Sequence, residues 1–346
     1  MRRFVIAVIL LAAFPGCDKP GGEESNPAAI PSIRVGYFPN LTHAQALVGL
    51  SRGDFASALG HGVKIETTVF NAGPSVIEAM FAKRIDLAYV GPNPAINGYV
   101  QSNGEALRVV AGATSGGAAL VVRADAGIQT AADLGGKRLA TPQLGNTQDV
   151  ALRAFLAKHN LRPRENGGDV EIVPTPNAQI LDLVRTRQLD GAWVPEPWAS
   201  RLEVEAGCRV LVDERELWPN GDFVTAHVIV RTEYLEANRA QVRAWIDAHI
   251  AVTQWMLVNP AQAQAVANAE IEKLTGKPLS AGVLSKAWSR MRPTWDPIVP
   301  SLFESANAAH AAGFLREAPE LSGIYDLSPL NQALRAKSLP EITVTQ

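Results

Sequence analysis

The chain has 346 residues, 47% of them hydrophobic and 19% charged, which is enough for two domains of ordinary size and too apolar for a protein that is mainly disordered. Lys and Arg number 32 against 34 Asp and Glu, a net charge of -2, so the basic excess needed to bind a phosphate backbone is missing and nucleic acid is not an expected partner. The most apolar run, Phe4 to Phe14, spans 11 residues, well short of the ~20 that a membrane-spanning helix needs, and the mature chain is expected to be soluble.

At the start of the chain, Arg2 and Arg3 precede the apolar run and Gly16 stands before Cys17, the layout of an export signal over residues 1–16. Phe14-Pro15-Gly16-Cys17 resembles the lipobox of bacterial lipoproteins, which implies cleavage before Cys17 and lipidation of that cysteine. Residues 17–32, rich in Gly, Pro and Glu, predict a flexible tether. If Cys17 carries lipid, Cys208 has no partner within the chain. No CxxC or Cys/His cluster offers a zinc site, and no metal or cofactor is expected. The six histidines fall at no metal-ligand spacing and read as structural, with His43 and His227 kept as candidates.

Strand-like and helix-like segments then alternate. IRVGYF is followed by the helical pattern of HAQALVGLSRGDFASALG, VKIETTVF by VIEAMFAK, and IDLAYV by AINGYVQS. LRVVAGAT closes this set, and Thr114-Ser115-Gly116-Gly117 breaks it before AALVVR. A second set opens on a capping signal at Thr130 and Asp133. It runs through KRLATP, DVALRAFLAKHN, VEIVPTP, NAQILDLVRTRQ and GAWV to the turn Pro195-Glu196-Pro197-Trp198 and CRVLVDE. FVTAHVIVRTEYL has strand character again, and the remainder reads as helical. Such alternation predicts mainly parallel sheets with right-handed crossovers.

In open parallel sheets, ligands sit beyond the carboxyl ends of the strands, where helix N-termini present free N–H groups. The loops at those ends are Pro39 to His43, Asn71 to Ser75, Gly91 to Pro94, Gly145 to Gln148 and Pro195 to Trp198. None contains Lys or Arg and only Glu196 is acidic, an inventory that holds a small oxyanion through neutral donors and helix dipoles. A second reading stands beside this one. Thr42, Ser75 and Asn146 also suit helix N-caps, Asn93 between prolines suits a turn, Glu196 suits a solvated turn and Trp198 suits a core. A carboxylate beside Trp193 and Trp198 is otherwise a partner for a ligand ammonium or amidine. The sequence contains no nucleophile elbow, phosphate loop or dinucleotide fingerprint, so nothing local demands an enzyme.

VGYFPNLTHAQALVG, IEAMFAKRIDLAYVGPNPAI, LATPQLGNTQDVALRAFL and LDGAWVPEPWASRL together resemble the aliphatic-sulfonate, taurine and nitrate group of ABC-transporter substrate-binding proteins, over roughly residues 33–260. The resemblance implies a two-lobed, periplasmic-binding-protein-like α/β fold of type II, with a mainly parallel sheet in each lobe and a helical C-terminal region. Lobe one is expected at 33–114 plus 222–346 and lobe two at 115–221, with hinges near Thr114 to Gly117 and Asp222 to Thr225. It further implies a non-catalytic, exported, periplasmic or cell-surface monomer, anchored to a membrane through Cys17. Such a protein captures a small solute by lobe closure and delivers it to an inner-membrane ABC permease. Carried onto this chain, the ligand residues are Asn40, Thr42, Pro92, Asn93, Thr114, Asn146, Thr147 and Glu196. Glu196 argues against a bare anion such as nitrate and for a zwitterion such as taurine or an amine-bearing heterocycle. Two alternatives share the fold. One is an enzyme similar to those making the thiamin pyrimidine precursor, which rely on a cysteine-rich iron motif that the lone Cys208 does not supply; the other is a sensory lobe.

Overall fold

The computed structural model describes residues 31–344. The expected export signal, Cys17 and all but the end of the tether lie outside the described residues.

The first lobe begins with β1 (Ser32–Tyr37), α1 (Ala44–Arg52), α2 (Asp54–Leu59), β2 (Lys64–Val69), α3 (Gly73–Phe81), β3 (Leu87–Val90), α4 (Pro92–Gln101) and β4 (Leu107–Gly116). The chain then enters a second sheet through β5 (Ala118–Arg123), β6 (Arg138–Thr141), α5 (Thr147–Lys158), β7 (Glu171–Pro174), α6 (Asn177–Arg185), β8 (Gly191–Pro195), α7 (Trp198–Ala206) and β9 (Cys208–Asp213). It returns as β10 (Val224–Arg231), followed by α8 (Thr232–Ala237), α9 (Arg239–Val258), α10 (Pro260–Thr275), α11 (Ala281–Ser289), β11 (Met291–Pro293), α12 (Val299–Ala311) and α13 (Ser328–Ala336). The capping signal at Thr130 is present with Asp133 as its partner, on a single 3₁₀ turn.

Among the described residues the first sheet has the order β11-β4-β10-β3-β1-β2 and the second β7-β6-β8-β5-β9. Both are buried on two faces, as crossover helices require. Leu87 and Tyr89 of β3 face one cluster and Ala88 and Val90 the other, and in β5 Ala119 and Val121 oppose Leu120 and Val122 in the same way. Phe55 of α2 stacks on Trp245 of α9 with ring centroids 3.8 Å apart, which ties the C-terminal helices to the first sheet.

The sheets are mixed where the sequence predicts mainly parallel pairing. β1 to β4 run one way, but β10 enters between β3 and β4 antiparallel to both and β11 follows antiparallel at the edge. In the second sheet β5 opposes both β8 and β9. The reason is geometric. The carboxyl ends of the two sheets face each other across a cleft, so a strand that crosses from one lobe enters the other from its carboxyl end and must run against its neighbours. Hydrophobic periodicity reports burial and carries no such direction. The helical reading of the last third likewise missed β11, which is three residues long.

The two crossings lie side by side. Ser115 pairs with Val224 and the Gly116 N–H donates to the Phe223 carbonyl at 3.2 Å. Gly116 and Gly117 have φ of 72° and 82°, values that favour glycine. A Cβ on Gly116 would stand 2.6 Å from the Arg290 carbonyl oxygen.

Candidate functional site

The facing carboxyl ends enclose a narrow cavity of about 20 Å³, room for roughly one water-sized group. From the first lobe come Phe38, Asn40, Thr42 and His43 after β1, Asn71 to Gly73 after β2, and Gly91 and Pro94 after β3. The second lobe supplies Pro142 after β6, Asn146 to Gln148 at the start of α5, Asn177 at the start of α6 and Pro195 at the end of β8, while Thr225 of β10 completes the wall. The N-termini of α3, α4, α5 and α6 all border this cavity, but α4 opens Pro92-Asn93-Pro94, of which only Pro94, without an N–H, lines it, so the free N–H groups come from the first turns of α3, α5 and α6.

No Lys, Arg, Asp or Glu lines this cavity. His43 is its one imidazole; complete burial pushes its pKa down to about 3, so the ring is neutral. Its Nδ1 accepts from the Phe38 N–H at 3.3 Å, which leaves the proton on Nε2. Two polar atoms of the wall, Thr147 Oγ1 and Asn177 Oδ1, are buried without a hydrogen-bond partner. A buried hydroxyl with no partner costs stability, and Thr147 Oγ1 can donate to a ligand without breaking a hydrogen bond within the protein.

The predicted residues divide into groups. Asn40, Thr42, Asn146 and Thr147 line the cavity. Asn146 also caps α5, its Oδ1 accepting from the Asp149 N–H at 2.9 Å while its Nδ2 donates to Gln148. Thr42 makes no side-chain cap, and Ser75 lies inside α3, whose N-cap is Ala72. Asp149 shapes the α5 loop from behind, accepting from the Gly145 N–H and from Thr141 Oγ1. Thr114 lies one layer below and donates to the Thr42 carbonyl at 2.7 Å, so it supports the loop. Pro92 and Asn93 are absent from this cavity. The Asn93 amide donates to the Ser305 carbonyl at 3.0 Å, and its side chain borders a separate chamber between α5 and α12.

Glu196 occupies a different place from the one its position in the turn implies. It is fully buried outside the cavity lining, accepting from Ser200 N–H and Oγ at 3.0 Å each and from Arg290 Nη1 at 3.1 Å. Burial pushes its carboxyl up from the usual range, while Ser200 and Arg290 pull it down. Its oxygens are thus occupied by Arg290, 94 residues away in sequence, which no local reading can pair. His227 is buried and bonded to the Pro297 carbonyl, well inside the first lobe.

Gln148 and Asn71 lie in the predicted loops but were not among the ligand residues carried over. Thr225 was expected only at the hinge, and Asn177 was missed altogether, although a polar residue opening the helix after VEIVPTP is the same signal that identifies Asn146.

The lobes meet closely around the cavity. A Cβ on Gly91 would stand 2.2 Å from Thr147 Oγ1. Trp198 Nε1 donates to Asn40 Oδ1 across the cleft at 2.9 Å. Among the described residues no group of three or more His, Cys, Asp or Glu is placed to hold a metal, and no helix is long and apolar enough to cross a membrane. Burial pushes the Cys208 thiol up to about 11, so it is protonated at neutral pH.

Known proteins share this fold and part of this sequence. A binding protein of Brucella abortus is 26% identical over 268 residues, 73% of this chain and 79% of the relative. The taurine-binding periplasmic protein of Escherichia coli K12 is 26% identical over 229 residues, 66% of this chain and 68% of the relative. The structure of the alkanesulfonate-binding protein of Xanthomonas axonopodis pv. citri bound to MOPS superposes with a TM-score of 0.72 at 20% identity, covering 86% of this chain and 99% of that one, which establishes a two-lobed α/β binding fold. Residues 26–271 match the NMT1-like family, and the chain belongs to that family.

Proposed function

We propose that this chain is the extracytoplasmic solute-binding component of an ABC importer, taking a small sulfonate- or taurine-like solute between two lobes and presenting it to a membrane permease. One observation carries the reading: the N-termini of α3, α5 and α6 and a set of neutral polar side chains line one cavity between the lobes, with no charged side chain among them. Such a site stabilises an oxyanion through dipoles and N–H groups alone. The names of the taurine- and alkanesulfonate-binding relatives support the same class. With Glu196 engaged by Arg290, an amine on the solute meets only neutral acceptors, so taurine gains nothing over ethanesulfonate.

Asn40, Thr42, Asn146 and Thr147 are the proposed head-group residues, joined by Asn177 and Thr225. Lobe one comprises residues 33–114 plus 222–346 and lobe two 115–221, turning about Gly116-Gly117 and the returning segment at Asp222 and Phe223. The ligand favours the closed state by touching both lobes at once. The mature protein is an exported monomer held at the membrane by lipid on Cys17, and loss of acyl labelling in Cys17→Ser tests the anchor.

Calorimetric titration with ethanesulfonate, taurine, sulfate and nitrate tests the site, together with Thr147→Val. That substitution removes a hydroxyl with no protein partner, so sulfonate affinity falls about tenfold while thermal stability holds or rises. Unchanged affinity, or a loss of stability equal to the loss of binding, removes Thr147 from the site. Failure of every anion to bind ends the reading.

A further inference from the structure

Asn40 stands where a helix cap belongs and does not cap. It precedes the 3₁₀ turn Leu41–His43 with the extended backbone of an N-cap, φ -116° and ψ 146°, yet its side chain accepts no N–H of that turn. Asparagine in this position ordinarily turns its oxygen back on the turn. Here the oxygen reaches the other lobe instead, accepting from Trp198 Nε1–H at 2.9 Å. Trp198 is absent from the cavity lining and shares with Asn40 the wall of the chamber outside it, so the amide spans the partition between the two spaces.

The chemistry of the partner settles which way the amide faces. An indole N–H only donates, so the atom opposite it must be the amide oxygen. The NH₂ is left on the other edge of the planar group, toward the cavity that Asn40 lines, and it donates to no protein atom among the described residues. Trp198 is itself held from within lobe two. The Arg201 guanidinium lies 4.5 Å from its ring centroid, Glu205 binds Arg201 at 2.8 Å, and Arg185 of α6 binds Glu205 at 3.1 Å. The Asn40 side chain has no such support from its own lobe: among the described residues Trp198 is its one hydrogen-bond partner.

We infer that Trp198 is a positioning residue for the head-group site: on closure its indole turns the Asn40 amide so that the NH₂ faces the solute, which makes closing the lobes and presenting this donor a single event. An amide left free offers its acceptor edge as readily as its donor edge, and that choice decides whether an oxyanion or a donor-bearing head is received. The inference rests on the solute-binding reading and adds to it a residue outside the cavity.

A double-mutant cycle tests it, read by calorimetric titration with whichever of ethanesulfonate, taurine, sulfate and nitrate binds the unsubstituted protein most tightly. Trp198→Phe keeps a ring beside Arg201 and removes the N–H, and affinity should fall about fivefold. Asn40→Ala removes the donor together with its orientation, and a hydrogen bond to an ionised group is of the stronger kind, so affinity should fall about thirtyfold. In the Asn40→Ala background Trp198→Phe should change affinity by less than about twofold. In the unsubstituted protein the Trp198 indole N–H, in assigned NMR spectra, should shift downfield and gain protection from exchange when the same solute is added. A Trp198→Phe loss that persists in full beside Asn40→Ala makes Trp198 a packing residue and overturns the inference. An Asn40→Ala loss no larger than that of Trp198→Phe reduces the bond to a tie between lobes and also overturns it, as does an indole signal indifferent to the solute. In each of these cases the solute still binds and the solute-binding reading stands. If none of the four binds the unsubstituted protein, that reading falls and takes this inference with it.

Discussion

Two stretches of the same lobe interface are built from opposite materials. Around the inner cavity the contacts between lobes are amides, hydroxyls and helix N–H groups, with no charged side chain in the lining. Along the seam between α7 and α11, Arg290 and Lys286 of the first lobe face Glu196, Glu203 and Asp213 of the second. Arg290 precedes β11, which pairs with the end of β4 at Gly116, so this seam lies beside the crossings. Rotation about the paired crossings moves the seam least. Full charges, expensive to separate once buried, are placed where the lobes stay together. Neutral dipoles, which are re-wetted at little cost, are placed where the lobes must part to admit and release a solute.

The sharpest way to break this comparison is at Arg290. Arg290→Met strands a fully buried carboxylate, and removing one partner of such a pair costs about 3–5 kcal/mol. At ~2–4 °C per kcal/mol for domains of this size, thermal scanning should show a midpoint lower by about 6 °C or more. Glu196→Gln leaves Arg290 its contact with Glu203 at 2.5 Å and should cost about 1 kcal/mol. Its sulfonate affinity should stay near that of the parent, in contrast to the loss of amine-bearing ligands expected of a carboxylate facing the solute. A neutral Arg290→Met, or a Glu196→Gln that loses taurine alone, would return Glu196 to the binding site.

A smaller effect belongs to the neutral stretch. Gly91 has φ of -68°, so alanine is allowed there by the backbone. The added Cβ meets Thr147 of the opposite lobe, with Thr147 Oγ1 at 2.2 Å and the Thr225 carbonyl oxygen at 3.4 Å. Gly91→Ala should therefore fold with near-parental stability yet resist closure. Sulfonate affinity should fall about ten- to hundredfold, the equivalent of a ~1–3 kcal/mol overpacking penalty, and scattering should show less compaction at saturation. Parental affinity would mean that Thr147 turns aside freely and that the lobes are not in tight contact at this point.

What could be read beforehand follows from which interactions are local. The βα alternation, the strand-end loops and the capping of α5 by Asn146 rest on residues within a few positions of one another, and the sequence shows them. Thr42 in the cavity wall was legible because a loop at a strand end has few other places to go. The Glu196 to Arg290 pair spans two lobes, and the reversed strands β5 and β10 follow from where the chain crosses between sheets. Neither leaves a periodic trace. Asn93 entered the ligand set by resemblance alone, and a resemblance in the loop does not say which side of α4 its amide faces.

The comparison also separates binding from stability as pH falls. A sulfonate stays ionised throughout the range in which proteins fold, and the single imidazole of the cavity, His43, is held neutral down to about pH 3. Affinity should therefore be the same at pH 5.5, 6.5 and 8. Stability should not be. His43, His227 and His249 are buried with pKa values lowered from 6.5 to about 3, about 4 and about 4, each chiefly by burial. Between those values and 6.5 the unfolded chain binds protons that the folded chain refuses, so stability is full above pH 6.5 and is lost as the pH falls. At pH 5.5, one unit below the unfolded value, each histidine costs about 1.4 kcal/mol. Thermal midpoints should decline steadily below pH 6.5 while calorimetric affinity stays flat. A Kd that tightens in step with acid would show that His43 takes up a proton to meet the anion, and the cavity would then hold its ligand by charge, as the α7 to α11 seam holds its lobes.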